Sequence, residues 1–404
     1  MVVLQLISRA CSVSVHTNGI SRVVLQLSDY FVHSLGIRCC QAYLEGAEHA
    51  ASPAFSATFH YTPDNPQGFH AFLRDNNIDI IVFNFAVDDM IAHIPAVCKI
   101  AHSLNVRVVF WPHFMPGKEG YSFGSWNEVR YGFKERKAVV DKTKKWLVSS
   151  LQPMSAWAIH KLLKNKYVSA YQCCDRIVVF SEPYVDRFLQ IIGGGDRDKF
   201  TVIPNPMSFP ELLSKKELRA KRKEVLYVGR FHEPQKRVSI ALEIWKMVEN
   251  NPALDDWSFR IIGDGEGEGF LRWVAEKNNL RRVCFEGRHD PRLYYKRASV
   301  LMSTSSYEGW PMVLMEAMPM GCCCVAFDSY DAIHDFIEDG ENGCIVKNND
   351  VKGYYQRLEE LMMNEDKRIE MGTNAIESSQ RFSMEKVAAK WQRLLLAEKH
   401  LSGD

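Results

Sequence analysis

The run Val225-Leu226-Tyr227-Val228-Gly229-Arg230, with Val238, Ala241, Leu242, Trp245 and Val248 following it, decides the fold. Four apolar residues stop at a glycine, which takes turn geometry that a side chain resists. The apolar positions after it recur at helical spacing on one face. Strand, turn and amphipathic helix make half of a βαβ unit, and the alternation spreads both ways along the chain. Downstream, strands are predicted at Ser258–Ile262, Val283–Glu286, Ser299–Met302, Cys323–Phe327 and Gly343–Val346. Upstream, they are predicted at Val2–Ile7, Ile37–Leu44, Ile78–Asn84, Val106–Trp111, Arg176–Phe180 and Phe200–Ile203, with helices near Ile20–Leu35, Pro66–Asn76, Asp88–Leu104 and Pro183–Ile191. Strands alternating with helices imply parallel sheets.

The 404 residues exceed one ordinary core. Pro204, Pro206 and Pro210, with the charged stretch after them, read as an interdomain linker over 204–221. It divides a domain at 1–203 from one at 222–382. The tail 383–404 reads as a helix with Val387, Trp391, Leu394 and Leu395 as its stripe, packing back toward the first domain. The expected fold is α/β, two Rossmann-like parallel-sheet domains facing a central cleft, with ligands beyond the carboxyl ends of the strands. Dehydrogenases, epimerases, periplasmic-type binding proteins and glycosyltransferases share that layout, so it does not choose among them.

Hydrophobic residues make up 46% and charged residues 25%, as in a soluble globular protein. A formal net charge of +1 gives no global attraction for nucleic acid, so anion binding has to be local. No apolar run reaches membrane-spanning length, and Val2–Ile7 reads as a buried strand rather than a secretory signal. The 11 cysteines form no metal-like CxxC pairs; most lie in apolar runs, as reduced core thiols of a cytoplasmic protein do.

The chemistry concentrates in Tyr307-Glu308-Gly309-Trp310-Pro311-Met312-Val313-Leu314-Met315-Glu316-Ala317, just after a predicted strand. Gly309 permits a tight turn and Pro311 suits a first helical turn, so Glu308 lies on the loop and Glu316 on the helix Met312–Met318. A carboxylate inside Val-Leu-Met-Glu-Ala-Met needs a partner, and vicinal sugar hydroxyls are one. The plainer alternative is a solvent-boundary glutamate. Arg230 and Lys236 would emerge at a strand's carboxyl end, Lys236 and Arg237 opening the next helix, and could together neutralise a diphosphate. Ile261-Ile262-Gly263-Asp264-Gly265 is another strand ending in a glycine turn, without the GxGxxG of a dinucleotide site.

In this order, these residues resemble the group 1 family of retaining GT-B glycosyltransferases, densely from Val225 to Val346. The resemblance takes in Val228-Gly229-Arg230 to Lys236, Gly263-Asp264-Gly265, Phe285-Glu286-Gly287, Ser305-Ser306-Tyr307-Glu308-Gly309, Glu316-Ala317-Met318 and Ile337-Glu338-Asp339-Gly340-Glu341-Asn342-Gly343. The seven residues between Glu308 and Glu316 are its most specific mark. It implies that Arg230 and Lys236 hold the donor diphosphate and that Glu316 binds the ribose hydroxyls. Glu308 would contact the transferred sugar, backbone amides of Gly309, Trp310, Pro311 and Met312 would lie near sugar and phosphate, and Gly287 and Arg288 near the base. In the first half, Gly19 in His16-Thr17-Asn18-Gly19 stands where the family has a glycine-rich acceptor-side loop, with one glycine of the usual pair. His113, after Val106–Trp111, stands where the family often has a sugar-side histidine. Trp310 and Pro311 depart from the family's commoner residues; similar runs occur in members that use UDP-hexoses or UDP-N-acetylhexosamines. No metal or cofactor is implied beyond the nucleotide-sugar donor.

Lys134 to Lys166 is rich in Lys and Arg, with Trp146, Leu147, Leu151, Met154 and Trp157 interleaved. Such a segment suits peripheral contact with an anionic membrane at the inner face, and with it a lipid-linked glycan acceptor. A solvated helix face is the simpler reading. The expected activity is transfer of a hexosyl or N-acetylhexosaminyl group from a UDP-sugar to a glycan or lipid-linked glycan, in bacterial-type surface polysaccharide or lipopolysaccharide synthesis. A GDP-mannose-dependent mannosyltransferase and a catalytically inactive nucleotide-sugar-binding homologue are the alternatives.

Overall fold

The computed structural model describes residues 1–9, 11, 19–45, 52–85, 90–118 and 164–397. They divide into two compact units. The described residues of the first fall within Met1–Gly120, Trp157–Ser208 and Phe382–Asp404; those of the second are Phe209–Arg381.

The first unit has a seven-stranded sheet of β1 (Val2–Arg9), β2 (Arg38–Glu45), β3 (Thr58–His60), β4 (Ile80–Phe85), β5 (Arg107–Pro112), β6 (Arg176–Val179) and β7 (Phe200–Val202). Its order is β3-β2-β1-β4-β5-β6-β7 and every pairing is parallel. The sheet therefore reverses its order of growth at β1, between β2 and β4. Helices follow local chemistry. Asn65 accepts from Gly68 N at 3.0 Å ahead of Pro66–Asp75, and Gly193, left-handed at φ +90, ends Glu182–Ile192. The final helix, Met384–Leu396, buries Val387, Ala388, Trp391, Leu394 and Leu395. The Trp391 ring lies 4.7 Å from that of Trp111 on β5, and Arg107 donates to Leu395 O at 2.7 Å.

The second unit has six parallel strands: β8 (Arg222–Val228), β9 (Ser258–Ile262), β10 (Val283–Gly287), β11 (Ala298–Ser303), β12 (Cys323–Asp328) and β13 (Gly343–Lys347). Their order, β10-β9-β8-β11-β12-β13, is the dinucleotide-binding order 3-2-1-4-5-6. Every residue of β11 is buried, as expected of a parallel strand covered on both faces. Trp245, Trp257, Phe259, Leu271 and Tyr354 fill the core, each large apolar side chain contributing roughly 1.5–3 kcal/mol on burial.

Several expectations shift. β3 is an added edge strand, too short at three residues to show a period. The helix predicted from Asp88 begins at Ile94, after a 3-10 turn at Met90–His93; residues 88 and 89 lie outside the described residues. The stretch predicted as linker contains the helix Lys215–Arg219, started by a Ser214–Glu217 capping box, whose Leu218 packs on Gly321 in the second unit. The eleven cysteines are free thiols and nine are buried. Burial pushes the Cys11, Cys39 and Cys323 thiols up to about 12, which holds them protonated and unreactive.

Candidate active site

The chemistry gathers at the carboxyl ends of β8 and β11, the point where the second sheet reverses its order. Open α/β sheets take their ligands there. Three loops are tied together. Gly229 N donates to Ile262 O at 3.0 Å, Gly263 N to Gly287 O at 2.8 Å, and Phe231 N to Asp264 O at 2.8 Å. A Cβ on Gly263 would stand 1.9 Å from Gly229 O, and one on Gly265 would stand 2.8 Å from Phe231 N. Their φ values of +145 and +152 also disfavour a side chain, so both positions demand glycine.

After β8, Glu233–Lys236 forms a one-turn helix of its own. Arg237 then turns left-handed at φ +49, and the long helix starts at Val238. Lys236 and Arg237 thus do not open the long helix, contrary to the sequence reading. The reason is local. Glu233, buried, accepts from Ser239 N at 3.0 Å and from its hydroxyl, filling the cap of the long helix. The Arg237 guanidinium donates to Thr304 O (2.7 Å), Ser305 O (2.8 Å), Asn348 Oδ1 (3.0 Å) and Asn349 Oδ1 (2.6 Å), which offsets the strained backbone. Burial lowers its pKa to about 10.

That turn presents Lys236 to the loop after β11. Lys236 Nζ lies 2.5 Å from Glu308 Oε1, with the two side chains 14% and 8% exposed. Glu308 also accepts from Ser305 Oγ at 2.6 Å and from Gln235 Nε2 at 3.2 Å. Ser306 N donates to Gln235 O at 2.7 Å and Thr304 Oγ1 to Lys236 O at 3.0 Å, so both backbones are fixed as well. The sequence reading placed Lys236 and Glu308 in separate roles; the structure joins them in an enclosed ion pair. Arg230 is exposed at the end of β8. The Tyr307 phenol is pushed up by burial and by Glu308 and drawn down by Arg230, so Arg230 lies within electrostatic reach of the same loop.

Pro311 is the cap of the helix Met312–Ala317 rather than part of its first turn. Glu316 is buried on that helix, and its Oε2 accepts from Tyr295 OH at 3.0 Å. The Trp310 ring packs 4.3 Å from Phe336. Gly287 turns at φ +75, and the exposed Arg288 guanidinium stands 3.9 Å from Asp264.

In the first unit, His113 follows β5, and its ring packs against that of Trp111, tilted, with centroids 4.2 Å apart. Its Nε2 lies 3.1 Å from Asn84 Oδ1. Burial lowers its pKa to about 3, so the ring is neutral at any working pH. Gly19 is the exposed first residue of the helix Gly19–Leu35; residues 12–18 lie outside the described residues, as do 134–163 of the basic stretch. Sequence reasoning missed Tyr295, Gln235, Ser305 and Asn84. Two leave a trace: Ser305 stands in the motif before Glu308 without a role of its own, and Asn84 is one amide in the apolar run Ile80-Ile81-Val82-Phe83-Asn84. A cavity lined by Leu218, Lys221, Ser299 and Arg368 lies at the amino ends of β8 and β11, away from this cluster. Among the described residues, no group of three or more His, Cys, Asp or Glu is arranged to hold a metal ion. No helix among them is long and apolar enough to cross a membrane.

Residues 17–208 match the model of Glycosyltransferase Family 4, and residues 208–378 that of Glycosyl transferases group 1. An uncharacterized glycosyltransferase of Haemophilus influenzae is 28% identical over 57% of this chain and 64% of its own length. The GalNAc-alpha-(1->4)-GalNAc-alpha-(1->3)-diNAcBac-PP-undecaprenol alpha-1,4-N-acetyl-D-galactosaminyltransferase of Campylobacter jejuni is 25% identical over 57% of this chain and 62% of its own length. The chain thus spans a little under two thirds of these relatives. The Anabaena HepE protein, in a crystal structure with UDP, shares the fold with a TM-score of 0.69 at 16% identity, covering 98% of this chain and 100% of that one. The fold is GT-B, and the two glycosyltransferase models between them match residues 17–378.

Proposed function

We propose that the protein is a retaining glycosyltransferase that moves a hexosyl or N-acetylhexosaminyl group from a UDP-sugar to a glycan or lipid-linked glycan in surface polysaccharide synthesis. The observation that carries the reading is the Lys236–Glu308 pair, with Arg230 in reach, at the reversal point of a dinucleotide-ordered sheet. The Campylobacter relative, named for an undecaprenol-linked acceptor, supports the acceptor class. The UDP complex of a protein with this fold supports the nucleotide.

In this reading Glu316 accepts two ribose hydroxyls while Tyr295 steadies its carboxylate. Glu308 accepts a hydroxyl of the transferred sugar, and Gly287 and Arg288 border the base. The acceptor oxygen bonds to the anomeric carbon on the face that the diphosphate leaves. The bond from that carbon to the phosphate oxygen breaks, and the acceptor's proton passes to the departing β-phosphate. The protein's part is electrostatic: Arg230, Lys236 and backbone amides of Gly309–Met312 stabilise the charge that develops on the diphosphate. His113 accepts a hydrogen bond from a hydroxyl of the sugar.

A thermal-shift panel of UDP-, GDP-, ADP- and dTDP-sugars tests the reading. A specific donor at a hundredfold excess over its dissociation constant stabilises the protein by about 2.7 kcal/mol. Response to a UDP-sugar supports the proposal; response to GDP-mannose alone moves it to mannosyl transfer, and no response to any member refutes it.

A further inference from the structure

Three adjacent strands of the first sheet each carry one amide in an otherwise apolar run: Gln41 on β2, Gln5 on β1 and Asn84 on β4. All three are at most 2% exposed. They straddle β1, where this sheet too reverses its order. A buried amide is retained at a cost unless its hydrogen bonds are met, so three together need a reason. Gln41 has a local one: its Oε1 accepts from Cys11 N at 3.2 Å and its Nε2 donates to Thr58 Oγ1 at 3.2 Å, tying the loop after β1 to β3. Gln5 and Asn84 serve something else. Asn84 Nδ2 donates to Gln5 Oε1 at 2.8 Å and to Val82 O at 3.1 Å. The orientation of the Asn84 amide is thereby fixed, since turning it over would set its oxygen against the Val82 backbone carbonyl, and the Gln5 amide turns to match it. Asn84 Oδ1 is then left facing His113 Nε2 at 3.1 Å, and an oxygen can only accept. His113 must therefore carry a proton on Nε2, and in the neutral ring its Nδ1 is then a bare lone pair.

We propose that Asn84, backed by Gln5, is a positioning residue that locks His113 as a neutral hydrogen-bond acceptor at Nδ1, directed at a hydroxyl of the sugar. The proposal rests on the assignment of His113 to the sugar made above. The surroundings agree with it. The ring is faced by Trp111 at 4.2 Å, Phe180 at 5.6 Å and Asn84, with no ionisable group among these neighbours. Burial, with no charged partner among the described residues, holds the ring neutral, so protonation does not compete for the lone pair near neutral pH. A carboxylate in place of Asn84, the usual partner of a catalytic histidine, would favour the imidazolium and remove the acceptor. The amide fixes the tautomer without that penalty.

The full chain labelled with nitrogen-15 in histidine tests the lock directly, with the His113 signals identified by their loss in His113→Gln. The expected spectrum shows a protonated Nε2, a bare Nδ1 and no titration from about pH 5 to pH 8. A protonated Nδ1, or a mixture of tautomers, overturns the proposal without any Asn84 variant having to fold. Asn84→Asp then tests the consequence, with UDP-galactose and UDP-N-acetylglucosamine as donors and UDP release as readout. Its His113 should titrate near neutrality, and kcat/KM should fall about tenfold or more as the pH drops through that titration, while the wild type stays flat. Asn84→Leu should lower kcat with little change in KM. If the Asn84→Asp ring titrates and turnover stays flat, the lock serves no substrate and the inference fails. If His113→Gln turns over like the wild type, the assignment of His113 to the sugar is what fails, and the two failures are told apart.

Discussion

Removing the charge of Glu308 should tighten UDP binding while it slows transfer. Lys236 is the cation expected at the diphosphate, yet in the free protein it sits 2.5 Å from the Glu308 carboxylate. A phosphate oxygen on Lys236 Nζ at ordinary charge-assisted distance would lie about 5 Å from Glu308. Two like charges about 5 Å apart repel by about 3 kcal/mol at an effective dielectric constant of 20 and about 0.8 kcal/mol in water. The site lies between these limits, because the loop is enclosed and Arg230 is exposed. Glu308→Gln keeps the size of the side chain and an oxygen for Ser305, and should strengthen UDP binding by about 1–2 kcal/mol, or roughly five- to thirtyfold. Lys236→Met should weaken it by about 1.5–3 kcal/mol, the worth of a hydrogen bond to a charged group. Isothermal titration with UDP at low and high salt measures both, and the Glu308→Gln gain should shrink as salt rises. Unchanged or weaker UDP binding by a folded Glu308→Gln protein refutes the argument that Glu308 and the diphosphate compete for Lys236.

Other outcomes are equally specific. Glu316→Ala should weaken every donor of the chosen nucleotide, and Tyr295→Phe, which removes a hydrogen bond to that carboxylate, should do so by about 1.5–3 kcal/mol in the same titration. Gly263→Ala should cost roughly 2 kcal/mol or more, read as a lowered melting temperature, because its Cβ would meet Gly229 O at 1.9 Å. His113 is held near pKa 3 in the fold against an ordinary value of about 6.5, so the unfolded chain alone takes up its proton between these values. Its contribution is therefore complete above about pH 6.5 and declines as the pH falls toward 3; His113→Gln should flatten that part of a stability–pH curve. The basic stretch 134–166 should bring the protein down with anionic vesicles and not with neutral ones; equal, negligible sedimentation with both would refute membrane contact.

Most of the parallel strands were legible because each is a short, nearly continuous apolar run that ends in Gly, Pro, Ser or a charge, as in Val225–Gly229 and Cys323–Asp328. Long helices such as Val238–Glu249 were equally plain from their stripe. β3 was hidden because three edge residues carry no period. The one-turn helix Glu233–Lys236 was hidden because Arg237 holds a left-handed conformation that its sequence neighbours do not announce; the bonds that hold it there come from Thr304, Ser305, Asn348 and Asn349, far along the chain. At the site, residue types identified Glu308, Glu316, Arg230 and Lys236 as candidates, but not the company they keep. The pairing of Lys236 with Glu308, and the hydroxyl of Tyr295 on Glu316, join segments more than twenty residues or more than seventy residues apart. Such contacts depend on strand order, which no local pattern contains.

The helix Met384–Leu396 belongs to the first unit, and Trp391 closes over Trp111 there. That arrangement sets the order of events on the ribosome. When residue 208 has been made, the first unit still lacks its last helix, and about 180 residues of the second must be synthesised before Trp391 emerges. At roughly 5–20 residues per second the wait is about 10–40 s, during which the apolar surface around Trp111 is uncovered. A nascent chain stopped near residue 381 would carry a finished second unit beside an unfinished first one. It would therefore be a natural client for chaperones that hold exposed apolar surface.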